Sequence, residues 1–194
     1  GPTPLGEKRY TPQGMTRVGD CVIFANSWKN TQSRVYRYRL GGWVEDGNFD
    51  MPDEAVHTSG LAWDGKHLWA VDYISNRCYQ IDLSASLASG KAQVIASFPT
   101  GLGGTSACEM LAYKGEAVLA ISDFMRTRRT YVIRPAVAVE KGEMAPAVIF
   151  SYVNEGFSQG LVWDGKWLYE SENKAGVNVI NRMDLDKLAE TGSA

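Results

Sequence analysis

The 194-residue chain is short of the features that mark several protein classes. It has three cysteines, Cys21, Cys78 and Cys108, with no metal-type spacing and too few for a disulfide framework, so they read as small buried apolar side chains. Two histidines leave little material for a histidine-based metal centre. No apolar run approaches the ~20 residues that cross a bilayer, and no charged-then-apolar leader opens the chain. Charge of either sign is not in excess: 20 Lys and Arg against 22 Asp and Glu give a net charge of -2. Such balance supplies no overall field for nucleic acid or an anionic membrane, and both partners are set aside.

What is present is a repeat. Gln13-Gly14-Met15-Thr16-Arg17-Val18-Gly19, Ser59-Gly60-Leu61-Ala62-Trp63-Asp64-Gly65, Glu109-Met110-Leu111-Ala112-Tyr113-Lys114-Gly115 and Gln159-Gly160-Leu161-Val162-Trp163-Asp164-Gly165 align without a gap. The closing glycines stand 46, 50 and 50 residues apart, near the ~40–50 residues of a four-stranded propeller blade. Asp-Gly pairs between apolar segments at 64–65 and 164–165 are strong hairpin signals, because both turn residues tolerate positive φ. Second strands follow at 21–26, 67–72, 117–122 and 167–172, and third strands at 34–40, 77–83, 129–135 and 179–185. Fourth strands are readable at 93–98 and 147–153, weakly at 43–45, and not at all in the last unit.

The expected architecture is therefore all-β: a β-propeller of four blades, with part of a five-bladed propeller as the alternative. Residues 7–11 are expected to close the ring by pairing with Arg182-Met183-Asp184, which protects an otherwise open edge. Residues 1–6 read as a flexible stub, either a cloning remnant or what remains after a signal peptide. Residues 7–185 form the single domain, and residues 186–194 a frayed polar tail. An exported location, periplasmic or extracellular, is slightly favoured.

Blade topology then selects a face. The starts of the first strands and the loops between second and third strands open on one side. Its inner ring is Gln13, Ser59, Glu109 and Gln159, with His57 and Phe157 just before. Its outer ring is Asn26, Asp72, Ser122 and Glu172, with Trp28, Tyr73, Asp123 and Arg126 in adjoining loops. Two explanations compete: a ligand site, or polar groups that merely satisfy one another, ordered water and loop backbone. Glu109, the one acid of the inner ring, is a candidate general acid or base, since burial favours its protonated form. With Asp72, Asp123 and Glu172 it could alternatively offer hard oxygen ligands to Ca²⁺, although no compact metal motif is present. Trp28, Tyr73, Phe124 and Phe157 suit an aromatic rim for a peptide or sugar.

Phe157-Ser158-Gln159-Gly160-Leu161, followed by Leu168-Tyr169-Glu170-Ser171 and Met183-Asp184-Leu185, resembles a blade of the glutamine cyclotransferase type of propeller. That resemblance implies cyclisation of amino-terminal glutamine, with Glu109 as proton shuttle and Phe157 and Gln159 as substrate contacts. The family propeller has five blades, however, and its acid follows the Gln-Gly-Leu blade, whereas Glu109 precedes it. Olfactomedin and NHL-type propellers share similar cadences. The leading expectation is a non-catalytic module holding a small molecule, peptide or glycan. A cyclotransferase-like or metal-assisted hydrolytic enzyme using Glu109 comes second, and a protein-interaction module third. A monomer is expected, or a dimer if the ring is incomplete.

Overall fold

Short alternating segments separated by Gly- and Asp-containing turns can bury one face only by stacking sheet on sheet. A computed structural model describes residues 10–28 and 31–192 and shows this solution: four antiparallel sheets arranged as a four-bladed β-propeller. Blade 1 comprises β1 (Tyr10–Val18), β2 (Cys21–Trp28), β3 (Gln32–Arg39) and β4 (Val44–Asp50). Blade 2 comprises β5 (Thr58–Trp63), β6 (Leu68–Asp72), β7 (Arg77–Asp82) and β8 (Gln93–Pro99). Blade 3 comprises β9 (Thr105–Tyr113), β10 (Glu116–Asp123), β11 (Arg129–Ile133) and β12 (Val148–Val153). Blade 4 has three strands among the described residues: β13 (Phe157–Trp163), β14 (Leu168–Lys174) and β15 (Val177–Met183).

The Asp-Gly hairpins form as the sequence implies. Asp64 accepts the backbone N–H groups of Lys66 and His67 at 2.7 and 2.6 Å, and Gly65 supplies a φ of +93°. Innermost strands follow one another around the axis, with β5 beside β1 and β9, and β9 beside β13. Their approach is close enough to require glycine. A Cβ on Gly60 would lie 2.5 Å from the Cys108 backbone nitrogen, and one on Gly14 would lie 2.8 Å from the Gly60 Cα. β1 and β13 face each other across a cleft of about 430 Å³.

Successive blades pack through apolar faces. Ile23, Val35 and Phe49 meet Leu61, Leu68 and Tyr79 at the first junction. Trp69, Val71 and Phe98 meet Cys108, Leu119 and Ile121 at the second. The three cysteines are buried and free, and burial pushes the Cys78 and Cys108 thiols up and out of reactive range. No helix of the described residues is long and apolar enough to cross a membrane.

The structure departs from the expectation at three places. Tyr10 and Thr11 pair with Trp28 and Ser27 inside blade 1, not with residues 182–184; residues 7–9 lie outside the described residues, as does the stub at 1–6. The weak fourth strand of blade 1 is a full strand, β4. Third strands run into short helices that strand periodicity does not reveal: α1 (Leu83–Ser89), α2 (Pro135–Lys141) and α3 (Leu185–Thr191). Thus residues 186–191 of the expected frayed tail are helical. The Asp184 side chain caps α3 by accepting from Asp186 and Lys187 N–H, and Leu185 and Leu188 are buried against blades 3 and 4.

Candidate functional site

A bulge recurs near the start of the first strand in every blade. The pairing skips Gly14 in β1, Ser59 in β5, Ser106 in β9 and Gln159 in β13. A bulge breaks the alternation of side chains and re-aims one residue. Here the effect is convergence: Gln13, Gly14, Ser59, Ser106 and Gln159, with His57, Tyr73 and Phe124, line one axial cleft of about 510 Å³.

The inner ring therefore needs two corrections: in blade 1 the bulged residue is Gly14, with Gln13 beside it and paired with Ala25. Ser106, not Glu109, occupies the position of blade 3. Alignment from the turn misleads because blade 3 has longer strands and a tighter hairpin. Tyr113 pairs with Glu116 across two residues, whereas Trp63 pairs with Leu68 across four. Glu109 lies three residues further along β9, paired with Ala120 and outside the cleft lining. Its carboxyl is pushed up to about 7 by burial, opposed by a hydrogen bond from the Met110 backbone N–H at 2.9 Å.

Within the cleft, His57 Nε2 lies 2.8 Å from Gln13 Oε1, an acceptor, so the ring nitrogen donates. Burial lowers the His57 pKa, with Asp72 acting in the opposite direction, which favours the neutral imidazole. Ser59 Oγ donates to the Thr105 carbonyl at 2.5 Å. Ser106 Oγ, in a residue 8% exposed, has no hydrogen-bond partner among the described residues. Among the described residues, no Asp, Glu, Lys or Arg contributes to this lining.

An aromatic chain extends from the cleft along the rim. The rings of His57 and Tyr73 are 5.3 Å apart, Tyr73 and Phe124 6.1 Å, and Phe124 and Phe157 4.9 Å. The Arg128 guanidinium sits 4.2 Å above the Phe157 ring. Tyr73, Phe124 and Phe157 are thus assembled as the sequence suggested. The side chain of Trp28 lies outside the described residues.

The outer ring does different work. Asp72 is fully buried and accepts the N–H groups of His57, Ile74 and Ser75 at 2.6, 3.0 and 2.8 Å, anchoring the loop that carries Tyr73. Asp123 does the same for the next loop, accepting from Gly103, Met125, Arg126 and Thr127. Burial works to raise its pKa, but the bonds from Thr127, Arg126 and Met125 outweigh it and hold the carboxylate below its usual range. Glu172 accepts from Gly156 N–H at 2.7 Å, and burial raises its pKa. Asn26 is buried, and Arg126 is exposed and bonded to the Gly101 carbonyl. These acids position the rim from behind instead of lining the cleft. The set Glu109, Asp72, Asp123 and Glu172 is not gathered into a cation site, and no cluster of three or more metal-ligating groups exists among the described residues.

A second polar group, not anticipated from sequence, fills the junction of blades 3 and 4. Glu170 is fully buried; Oε1 accepts from Thr130 Oγ1 at 3.0 Å and Ser122 Oγ at 3.4 Å, and Oε2 accepts from Tyr152 OH at 3.1 Å. Ser158 Oγ extends the network to Ser122 at 3.0 Å. Burial pushes the Glu170 carboxyl up to about 7. The signal was the Tyr-Glu-Ser triplet, which strand alternation alone does not assign to a core.

No protein-family model matches the chain, and no curated protein matches it. Solved structures do. Glutaminyl cyclase of Myxococcus xanthus superposes with a TM-score of 0.58 at 13% identity, over 90% of this chain and 75% of the cyclase chain. The dihydro-heme d1 dehydrogenase NirN gives a TM-score of 0.53 at 11% identity, over 90% of this chain and 35% of its own. A chain of the mitotic checkpoint complex gives 0.50 at 10% identity, over 86% of this chain and 59% of its own. The likeness is one of propeller fold.

Proposed function

We propose that this propeller is a ligand-binding module that takes an uncharged hydrogen-bonding ligand, a small molecule, peptide or glycan, into the axial cleft. One observation carries the reading: the bulged strand starts gather the carboxamides of Gln13 and Gln159 and the hydroxyls of Ser59 and Ser106 into a single cavity beside an aromatic wall, and one hydroxyl, Ser106 Oγ, is buried with no partner among the described residues. A buried hydroxyl left unpaired costs about 1–3 kcal/mol, which a ligand group or water entering the cleft offsets. Tyr73 and Phe124 offer stacking faces for a sugar ring or peptide plane. Among the described residues the lining carries no Lys or Arg to pair with an anion, which disfavours carboxylates and phosphates as the inserted group.

The test is a calorimetric screen with N-acetyl amino-acid amides and neutral mono- and oligosaccharides. At least one class is expected to bind without turnover and to lose tenfold or more in affinity on Ser106→Ala. Failure of every probe to bind overturns the reading.

A second reading, cyclisation of amino-terminal glutamine, is favoured by the placement of Gln159 in the cleft within a motif that resembles the cyclotransferase blade. On this reading Glu109, with its carboxyl near 7, would be the proton carrier. Its position outside the cleft lining weighs against that role. Product formation from glutaminyl peptides that disappears with Glu109→Gln would establish the enzyme in place of the binding module.

A further inference from the structure

In blades 2, 3 and 4 the loop before the third strand ends on a residue in the left-handed region. Asn76 stands before β7 with φ +52°, Arg128 before β11 with φ +49°, and Gly176 before β15 with φ +84°. Glycine and asparagine enter that region readily, whereas a long side chain is disfavoured there. Asn76 also uses its side chain locally, accepting from Thr105 N–H at 3.3 Å. The turn alone therefore does not select an arginine in blade 3.

Arg128 stands at the mouth of the axial cleft. The residue is exposed, and its guanidinium sits 4.2 Å from the centre of the Phe157 ring. Phe157 in turn lies 4.9 Å from Phe124, which lines the cleft. The Arg128 carbonyl accepts from Asn154 N–H at 2.9 Å, tying this loop of blade 3 to the segment that leads into blade 4. A guanidinium seated on a ring keeps its N–H donors for another partner. Among the described residues no ion pair includes Arg128, while Arg34, Arg39 and Arg134 pair with Asp50, Asp46 and Glu116. The acids of the adjoining loops are engaged elsewhere: Asp123 with amides of its own loop, Glu172 with Gly156 N–H, and Glu155 with Lys174. A molecule whose polar end enters the cleft and whose remainder follows Phe124 and Phe157 outward meets a cation that the fold leaves unpaired.

We propose that Arg128 reads a carboxylate at the rim. The ligand is then a short peptide-like molecule with an uncharged polar group in the cleft and an acid group about one or two residues outside it, at ~3.3 Å per extended residue. This inference rests on the axial cleft being a ligand site. A carboxylate is planar and matches the guanidinium fork with two parallel N–H···O bonds, and the Phe157 ring restrains the fork before the ligand arrives. Because the contact lies at the exposed rim, salt screens it more than the hydrogen bonds made inside the cleft.

The test is calorimetric titration of the 194-residue chain with N-acetyl-seryl-glycine, N-acetyl-asparaginyl-glycine and N-acetyl-glutaminyl-glycine, each as the free acid and as the carboxyl-terminal amide. The acid is expected to bind about fivefold more tightly than its amide at low salt, with the ratio falling toward one at high salt. Arg128→Asn, which installs the residue blade 2 carries at this turn, should bring the ratio to one without lowering the unfolding midpoint. Arg134→Gln, which removes the same charge at the other end of β11, should leave the ratio as it was. Amides that bind with no preference for the acid overturn the role of Arg128 and leave the cleft reading standing, as does a preference that survives Arg128→Asn. Binding by neither form of any probe overturns both.

Discussion

Blades 2 and 4 carry nearly the same hairpin, Trp-Asp-Gly-Lys followed by His-Leu-Trp in one and Trp-Leu-Tyr in the other, yet they live in different environments. In both, the aspartate accepts two turn amides and a side-chain donor: Lys66 N–H, His67 N–H and the Trp69 indole for Asp64, and Lys166 N–H, Trp167 N–H and the Tyr169 hydroxyl for Asp164. Blade 2 stands between two neighbours and buries Trp69 to 2% exposure, while the corresponding face of blade 4 leaves Val162 and Ile180 in the open. The local pattern dictates the turn; burial is decided by whether a blade stands alongside. Residues at equivalent positions therefore carry very different free energies.

Three substitution pairs and one single substitution sharpen or break that contrast. The largest effect is expected at the glycines. Gly60→Ala forces a Cβ against the backbone of Ala107 and Cys108, at 2.8 and 2.5 Å, and should cost about 3 kcal/mol in urea unfolding, toward the upper end for overpacking. Gly160→Ala meets only the Ser171 hydroxyl and should cost less than about 1 kcal/mol. Similar losses at the two sites would break the comparison.

Core truncation comes next. Phe98→Ala empties a fully buried site and should cost ~3 kcal/mol or more, whereas Ile180→Ala at its exposed position should stay within ~0.5 kcal/mol. Matched chemical denaturation of the two variants decides it.

The third contrast is electrostatic. Blade 2 presents Ala70 to its preceding blade, where blade 4 presents Glu170. A carboxyl raised to about 7 in the folded state holds a proton that the unfolded chain, near 4.5, has released. The folded state thus binds more protons between these values, and stability falls as pH rises from about 4.5 to 7 before levelling off. Glu170→Gln should flatten much of this slope and raise stability at pH 8 relative to pH 5, read from unfolding midpoints. Glu109, raised to about 7, and Glu172, also raised, add to this slope, while His57, whose pKa is lowered, opposes it.

The smallest difference is expected at the turns. Asp64→Ala removes the partner of a buried indole and should cost about 1–2 kcal/mol, and Asp164→Ala about half as much, because its partner hydroxyl is open to water.

The same contrast explains how far the sequence could be read. The hairpins, the order of strands and the four-blade count are written in recurring glycines and tryptophans, and the aromatic rim was legible in Tyr73, Phe124 and Phe157. The identity of the inner ring was not, because it depends on bulges, and a bulge changes which residue faces the axis without changing the amino-acid pattern. Blade 3, with its longer strands and tighter turn, hid Ser106 behind Glu109 for that reason. The outer acids misread as ligand groups are short side chains beside tight loops, where bonding to backbone amides and bonding to a ligand demand the same residue types. Glu170 escaped notice because a core acid is recognisable only once the hydroxyls of Ser122, Thr130 and Tyr152 are known to surround it.

The most direct test of the central claim, that the bulged residues of four blades form one ligand site, is a calorimetric affinity comparison. The best binder among the amide and sugar probes would be titrated into the unsubstituted chain, Gln159→Ala and Ile180→Ser. The account predicts a loss of at least tenfold for Gln159→Ala and unchanged affinity for Ile180→Ser; equal affinity in all three proteins would contradict it.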